Sequence, residues 1–403
     1  MPNPSGKNGH NNGTKPTDDV LKAHLLKYRE QAQSQEQKCR SLTVDLGYSI
    51  WPWKLNKEEN RLGIGSKRRF KPAEEVVKQA IITEVEGDLG RRNGPDYIQD
   101  NLRHKYNLHV GRDLVTKTMK VYFPKDFVKR FPGRRLIRQN RTQLQSIGPY
   151  RELHSDHEKL TAFAVKMGEL GISIYGYKDR WSDNLLYLVC VPESRSAAAG
   201  GHIFLDFVTE VGCIPIQLTT DKGPEIGFQH AFMAALHEAY APDLDATVYP
   251  PHVILKSTNN TPIEGIWRRF SEKVGANLKE IILRGKVEYI FDSTRHEHTY
   301  VPESFLCYYE LANFQRWWNN HRVRTQENKM MPSGHVPSFA LEYPSTLNGV
   351  DCRIEVPKEA IAWLWQFLEE ETNKSREEFF RWYPDDFANA ASSTWEAITA
   401  CNN

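Results

Sequence analysis

Three acidic residues in the middle of the chain are the strongest candidates for chemistry. Asp156 lies in a segment with strand-like alternation, Asp221 follows a short apolar run typical of a buried strand, and Glu264 lies in the first turn of a predicted helix. They are separated by roughly 65 and then roughly 43 residues, and carboxylates on strands and a helix are the ligands that a two-metal site needs. Structural roles stay open, because Asp also satisfies turn amides and Glu also suits a helix N-terminus.

Strands and one helix must position these acids. In the first strand, His154 and Asp156 fall on one face and the residues between and before them on the other. The helix of Glu264 begins at Pro262, and its apolar stripe leaves Glu264 off the buried side. Around the acids, the sequence predicts strands at about 151–157, 171–178, 185–192, 214–220 and 252–257, and helices at about 196–210 and 228–240. This order predicts an α/β domain that carries Asp221 at the end of a strand, where such folds bind ligands.

Six segments, in order, resemble the catalytic core of retroviral-type integrases and DDE transposases, and most closely the integrase core domain proteins of transposon origin. The matching motifs are His154–Leu160, Gly176–Ser182, Leu185–Cys190, Thr220–Glu225, Asn260–Trp267 and Trp317–Thr325. The resemblance covers about residues 145–340. It implies a ribonuclease-H-like mixed sheet flanked by helices, in which the first and fourth strands are neighbours.

The resemblance also implies a reaction, namely metal-dependent polynucleotidyl transfer on DNA. Asp156, Asp221 and Glu264 would hold two Mg²⁺ or Mn²⁺ ions about 4 Å apart. Asn260, one helical turn before Glu264, would contact the third acid or a phosphate, whereas Asp179 is interpreted as a turn residue outside the triad. Two other functions stay open: a catalytically silent DNA-binding or interaction protein on the same fold, and a nuclease or unrelated enzyme.

The region before the core predicts a helix-turn-helix-like unit. Helices are expected at about 73–86, 96–106 and 112–122, and the last would present basic side chains outward, as a helix in a major groove does. Those residues are Arg112, Lys117 and Lys120, and the linker that follows adds Arg134, Arg135, Arg138 and Arg141 as candidate phosphate contacts. A small packing bundle and a solvated basic linker are the alternatives.

Charge is distributed unevenly along the chain. The net charge is +2, but residues 1–150 hold about 29 basic against about 16 acidic residues, and the remainder is acidic by about the same excess. A basic first part is typical of a polyanion partner. The six cysteines are scattered without zinc spacing, so no zinc is expected. No apolar run reaches membrane length, and residues 1–15 do not read as a secretory signal, so we expect a nuclear protein, or a cytoplasmic one if it is silent, that forms homo-oligomers as the family does.

These patterns divide the chain into segments. The predicted segments are a disordered tail (1–17), a helix and linker (18–71), a helix-turn-helix-like DNA-binding region (72–123), a basic linker (124–147), the integrase catalytic core (148–340) and a helical C-terminal extension (341–403). In the second segment, residues 18–40 are expected to form one helix and Trp51 to Trp53 a turn. The fold class is therefore α/β, preceded by an all-α region and followed by a helical extension.

Overall fold

The computed structural model describes most of the chain in separate stretches. These are residues 12–31, 33–64, 72–88, 90–124, 126, 146–158, 173–191, 194–255, 261–275, 277, 280, 284, 287–288, 309–325 and 331–380. The chain divides into two compact units, one containing residues up to 144 together with 319–349, and the other containing 145–318 and the residues from 350 onward. We call them the N-terminal unit and the sheet unit. The predicted boundary between residues 340 and 341 lies inside the segment that packs in the N-terminal unit.

The described residues form helices and strands that we number in chain order. The helices are α1 (Asp18–Glu30), α2 (Gln35–Leu46), α3 (Pro52–Arg61), α4 (Glu74–Gly87), α5 (Pro95–Tyr106), α6 (Arg112–Tyr122), α7 (Ala197–Val211), α8 (Ile226–Tyr240), α9 (Thr261–Phe270), α10 (309–320), α11 (Pro337–Glu342), α12 (Lys358–Thr372) and α13 (Arg376–Phe379). The strands are β1 (Glu152–Glu158), β2 (Ser173–Asp179), β3 (Leu185–Val191), β4 (Cys213–Ile214), β5 (Gln217–Asp221), β6 (His252–Leu255) and β7 (Ile354–Glu355). None of the described helices is long and apolar enough to cross a membrane.

The N-terminal unit has two hydrophobic clusters. One joins α1, α2 and α3 to α11, and it includes Leu21, Leu25, Tyr28, Leu42, Leu55, Phe339 and Tyr343. The other lies among α4, α5 and α6, and it includes Val77, Ile81, Ile98, Leu102, Val115 and Met119. Because α5 ends at Asn107 in a left-handed conformation and α6 begins at Arg112, these three helices have the short turn that the sequence predicted.

Two expectations for the segment of residues 18–71 were wrong. The single helix expected over 18–40 is broken into α1 and α2, because Ser34 and Gln37 form a capping box that starts a new helix. Trp51 is not part of a free turn, since it is the N-cap of α3 and Pro52 occupies the first helical position. Pro is favoured there because its missing N–H would have no partner in that turn.

The sheet unit contains a five-stranded mixed sheet in the order β3-β2-β1-β5-β6. The strands β3 and β1 both run antiparallel to β2, whereas β5 is parallel to both β1 and β6. The mixed α/β architecture is therefore confirmed, as is the adjacency of the first strand to the strand of Asp221. The strand predicted at 214–220 is shorter than expected, because Cys213 and Ile214 pair with β7 instead.

The two faces of this sheet differ in chemistry. Side chains alternate along each strand, and paired residues share a face, so the register assigns each one. The polar face carries Glu152, His154, Asp156, Gly176, Lys178, Thr219 and Asp221, and the aromatic face carries Leu153, Ser155, Tyr175, Tyr177 and Leu218. Helix α9 packs on the polar face through Trp267, and α7 packs on the aromatic face, where Phe207 stacks on Tyr177 with ring centroids 4.4 Å apart.

Candidate active site

Asp156 and Asp221 are brought together by the parallel pairing of β1 and β5. The paired residues keep a constant offset, as in Leu153 opposite Leu218 and His154 opposite Thr219. Continuing this offset by two residues places Asp156 opposite Asp221, on the polar face where both strands end their pairing. Both acids are half-buried. The extended register would therefore place the two strand acids side by side at the carboxyl ends of β1 and β5.

Glu264 reaches the same edge from α9. Partial burial raises the pKa of Glu264, and the negative charge of Asp221 raises it further. The side chain of Glu264 is exposed, so it faces the solvent and not the core. Asp221 is therefore the strand acid whose charge acts on Glu264.

Asp156 accepts a hydrogen bond from a residue of α9, the helix that carries Glu264. The indole Nε1 of Trp267 donates a hydrogen bond to Asp156 Oδ2 at 3.3 Å. Trp267 lies three residues after Glu264, so both side chains project from neighbouring positions of α9. Sequence analysis placed Trp267 at the end of the Asn260–Trp267 motif and in the apolar stripe of this helix. Its buried ring confirms that placement, and its N–H adds a polar contact that hydrophobic periodicity does not reveal.

Lys178 attaches the start of α9 to the sheet. Its Nζ donates to the carbonyl oxygen of Pro262 at 3.0 Å and forms an ion pair with Asp183 at 2.6 Å. The ammonium group also lies 5.7 Å from the ring centroid of Trp318 on α10. Lys178 is almost fully buried, and a lysine is buried only when such partners compensate its charge. Sequence analysis missed this residue, whose one visible signal is a charged side chain inside a strand.

A buried polar network lies on the polar face next to the acids. Glu152 accepts a hydrogen bond from Thr219 Oγ1 at 3.2 Å, contacts His154 Nε2 at 3.2 Å and forms an ion pair with Arg180. Burial would raise the pKa of Glu152, but the hydrogen bonds and charges of His154 and Arg180 outweigh it and lower the pKa to about 2. Glu152 therefore stays ionised and fixes the strand pair that carries Asp156 and Asp221.

The loop that follows Asp221 is tightly packed. The side chain of Glu225 is 1% exposed, and a Cβ at Gly223 would lie 2.2 Å from Glu225 Oε1. A Cβ at Gly200 on α7 would lie 2.0 Å from the backbone oxygen of Glu225. Gly200 is thus required by close approach, since no larger residue fits against a backbone oxygen, whereas a side chain at Gly223 would displace the carboxylate of Glu225. This packing fixes the backbone that leaves β5 at Asp221.

Asp179 has the structural role that the sequence predicted. Its buried carboxylate accepts hydrogen bonds from the backbone N–H groups of Tyr150 and Ser182 and from the Ser182 hydroxyl. Burial raises the pKa of Asp179 to about 6, although those hydrogen bonds act in the opposite direction. Asp179 therefore closes the turn between β2 and β3 and does not belong to the acid cluster.

The oxygen ligands present suit Mg²⁺ or Mn²⁺ better than zinc. Asp156, Asp221 and Glu264 offer only carboxylates, and Mg²⁺ sites typically use one or two carboxylates completed by water and substrate phosphates. In the described stretches, no group of three His, Cys, Asp or Glu side chains converges closely enough to form a ready-made metal cage. The cysteines described, which are Cys39, Cys190, Cys213 and Cys352, are free thiols.

Among the predicted nucleic-acid contacts, those on α6 belong to the described residues. The side chains of Arg112, Lys117 and Lys120 are exposed, and Arg112 forms an ion pair with Asp96 at 2.5 Å. Both lysines lie on the side of α6 away from the buried Val115 and Met119. The other predicted contacts lie outside the described residues, and they are Asn260, Arg134, Arg135, Arg138 and Arg141.

Comparison with known proteins yields weak similarities only. No protein-family model and no curated protein matches the chain. Among solved structures, the chain is similar to a Mos1 transposase paired-end complex with left transposon end, a Mos1 strand transfer complex and a pre-cleavage Mos1 transpososome. Sequence identity is 9% in each case, and the TM-scores are 0.21, 0.21 and 0.18. The alignments cover 76% of this chain and 97%, 97% and 96% of those chains. The geometry of the site therefore carries the functional argument.

Proposed function

We propose that this protein is a metal-dependent polynucleotidyl transferase of the integrase or transposase type, acting on DNA and built on a ribonuclease-H-like sheet. The observation that carries the proposal is the parallel register of β1 and β5, which pairs His154 with Thr219 and, extended by two residues, would place Asp156 opposite Asp221. Helix α9 then adds Glu264 close enough to Asp221 for their charges to interact. Two strand acids and one helix acid are the carboxylates that two-metal phosphoryl chemistry needs.

Each acid has a role in this proposal. Asp156 and Asp221 would share a metal ion between the paired strands, and Glu264 would bind at the outer side of the site from α9. When bound, Mg²⁺ or Mn²⁺ activates a water or a 3′-hydroxyl and stabilises the leaving 3′-oxygen. Without a cation the carboxylates repel one another, and the raised pKa of Glu264 beside Asp221 is a sign of that repulsion.

The chain also offers surfaces for the DNA. We assign the helix α6 to duplex contact, through the exposed side chains of Arg112, Lys117 and Lys120. The basic linker would follow phosphates, which makes binding strongly dependent on salt concentration. Asn260 would contact a phosphate next to Glu264. A homo-oligomer and a nuclear location complete the proposal, since synapsis of two DNA ends requires more than one catalytic unit.

The proposal is tested by metal binding and strand nicking measured on the same samples. Calorimetry with Mg²⁺ and Mn²⁺ is expected to show binding by the wild type and loss of binding in Asp221→Asn. Nicking of supercoiled plasmid is expected to fall more than about 100-fold in the variant, since even partners of metal ligands affect activity 10–100-fold. Asp245→Asn is the matched control, because its exposed carboxylate bonds only Thr247 of its own turn among the contacts described.

A second function is distinguished in the same tubes. If the wild type neither binds a divalent ion at millimolar concentration nor nicks DNA, the catalytic proposal fails. The exposed basic face of α6 then favours a DNA-binding protein without catalysis, and fluorescence anisotropy with a labelled duplex would detect that binding.

A further inference from the structure

Helix α9, which carries Glu264, also contacts Asp156 on β1. We propose that Trp267 is a positioning residue, whose indole N–H orients the carboxylate of Asp156 for metal binding. The inference rests on the proposed function, because it assigns Asp156 to the metal. Three observations support it: the hydrogen bond itself, the place built for the indole ring and the attachment of α9 to the sheet at a second point.

The hydrogen bond connects two parts of the fold that are distant in sequence. Trp267 Nε1 lies 3.3 Å from Asp156 Oδ2, across a separation of 111 residues. A carboxylate at a strand end can rotate about its last two bonds, and a donor to one oxygen restricts that rotation. An indole nitrogen donates only and cannot compete for a cation. Trp267 therefore restrains Asp156 without occupying the metal.

Gly176 leaves the space that the indole ring of Trp267 occupies. Gly176 is the residue of β2 directly opposite Asp156, and a Cβ there would lie 3.2 Å from Trp267 Cη2. Such a distance is tighter than ordinary van der Waals contact, so any side chain at 176 would press on the ring. Glycine weakens a strand interior and is found there where another group approaches closely. The ring of Trp267 is that group, and it is 3% exposed.

The second attachment point precedes Glu264. Lys178 Nζ donates to the carbonyl oxygen of Pro262, in the first turn of α9. Glu264 therefore lies between two contacts of α9 with the polar face, one at Pro262 and one at Trp267. Because a helix is stiff over this length, fixing both points fixes Glu264 relative to Asp156 as well. Catalytic groups must be held within about 0.5 Å of their productive geometry, and this arrangement supplies that restraint.

The first test observes metal binding in the wild-type protein and uses Trp267→Phe only to assign a resonance. Trp267 contributes one of ten indole N–H resonances to an ¹⁵N–¹H spectrum, identified as the resonance missing from Trp267→Phe. Paramagnetic Mn²⁺ broadens nuclei within a few ångströms much more than distant ones. Substoichiometric Mn²⁺ is expected to broaden the Trp267 resonance while that of Trp365, which donates to Thr209 on α7, stays sharp. Equal broadening of both would overturn the proposal.

The second test removes the donor and keeps a smaller aromatic ring at position 267. In Trp267→Phe the affinity for Mg²⁺ and the kcat for nicking are expected to fall about 10–100-fold, with little change in KM for DNA. Gly176→Ala is expected to change both in the same direction by less, since it displaces the ring and leaves the donor in place. The control is Trp365→Phe, which removes an indole hydrogen bond to Thr209 Oγ1 of 3.1 Å on the other side of the sheet.

The outcomes separate this inference from the proposed function. A wild type that binds metal and nicks DNA, with a Trp267→Phe variant of equal metal affinity, would refute the positioning role alone. A wild type without metal binding or nicking would refute both. A loss in Trp267→Phe matched by an equal loss in Trp365→Phe would mean a general effect of packing, and it would also refute the inference.

Discussion

The two faces of the five-stranded sheet use the same strands for opposite purposes. On the aromatic face, Tyr177 is fully buried and stacks on Phe207, with Phe204 beside them. On the polar face, Glu152 of β1 pairs with His154 and accepts a hydrogen bond from Thr219 of β5. Alternation along a strand permits this division, because successive side chains point to opposite faces.

The difference indicates where stability comes from and where it is given up. Buried aromatic area contributes favourable free energy without requiring exact partners. Buried charges contribute little net stability even when paired, and unpaired ones destabilise strongly. The aromatic face is therefore expected to hold the sheet together, and the polar face to hold acids in positions that cost stability. The predictions below test this division.

The largest expected effect is on the aromatic face. Phe207→Ala would remove the ring stacked on Tyr177 at 4.4 Å and leave a cavity between α7 and the sheet. The free energy of unfolding is expected to fall by about 3–5 kcal/mol, as measured by urea denaturation. Phe207→Leu, which keeps most of the volume, should cost clearly less. A loss below about 1 kcal/mol in Phe207→Ala would mean that this face does not carry the stability.

The bounds of many helices and strands of the sheet unit can be predicted from the sequence, because local patterns determine them. Helix α8 was expected at 228–240 and is found at Ile226–Tyr240, and β2 and β3 lie within two residues of their predicted bounds. The apolar run and the turn after it located Asp221 at a strand end. Helix α6 matches its predicted bounds because a glycine precedes it and its apolar residues recur at helical spacing.

The contacts between distant elements that position the site cannot be predicted from local sequence patterns. Lys178 reaches Pro262 across 84 residues, and nothing near Lys178 in the sequence indicates that α9 lies above it. Likewise, the break after α1 depends on a capping box at Ser34, whose residue types also suit a continuous helix. Local sequence thus predicts elements, whereas the restraint on Asp156 depends on how distant elements meet.

An effect of intermediate size is expected from one titratable group beside the aromatic face. His202 on α7 is fully buried among Trp365, Phe379 and Phe380, and neither ring nitrogen has a hydrogen-bond partner among the described residues. Burial lowers the pKa of His202 to about 4, and the positive charge of Arg376 adds to this. The charged groups facing the ring are Arg376 and Glu377 on α13, with Asp206 paired to Arg376.

The sign of the pH dependence follows from that shift. Because the folded pKa lies below the ordinary value of 6.5, the unfolded chain binds more protons between pH 6.5 and 4. Stability is therefore complete above pH 6.5 and is lost as the pH falls towards 4, by on the order of 1–2 kcal/mol after allowing for solvent near Arg376. Urea denaturation at pH 7 and pH 5 measures this loss.

A matched pair of variants assigns the loss to one histidine. His202→Phe, which suits the aromatic surroundings, is expected to remove the part of the pH dependence that belongs to His202, about half of what the two buried histidines contribute together. His252→Asn should leave the His202 contribution in place, although burial and His230 also lower the pKa of His252 to about 4. If the free energy of unfolding of His202→Phe still falls by the full amount between pH 7 and pH 5, the loss of stability comes from His252 on the edge strand β6 and not from His202 on α7.

The smallest expected effect has the opposite sign and lies on the polar face. Asp221→Asn removes a charge that repels Glu264, so in the presence of a chelator the variant is expected to be more stable than the wild type, by on the order of a few tenths of a kcal/mol because the Glu264 side chain is exposed and solvent screens the repulsion. Millimolar Mg²⁺ should reverse the order, because a cation at 100 times its Kd stabilises only the protein that binds it, by about 2.7 kcal/mol. Urea denaturation with and without Mg²⁺ measures both signs. A variant less stable than the wild type by more than about 1 kcal/mol in chelator would mean that Asp221 serves the turn, as a structural Asp does, and the two faces would then not differ as argued.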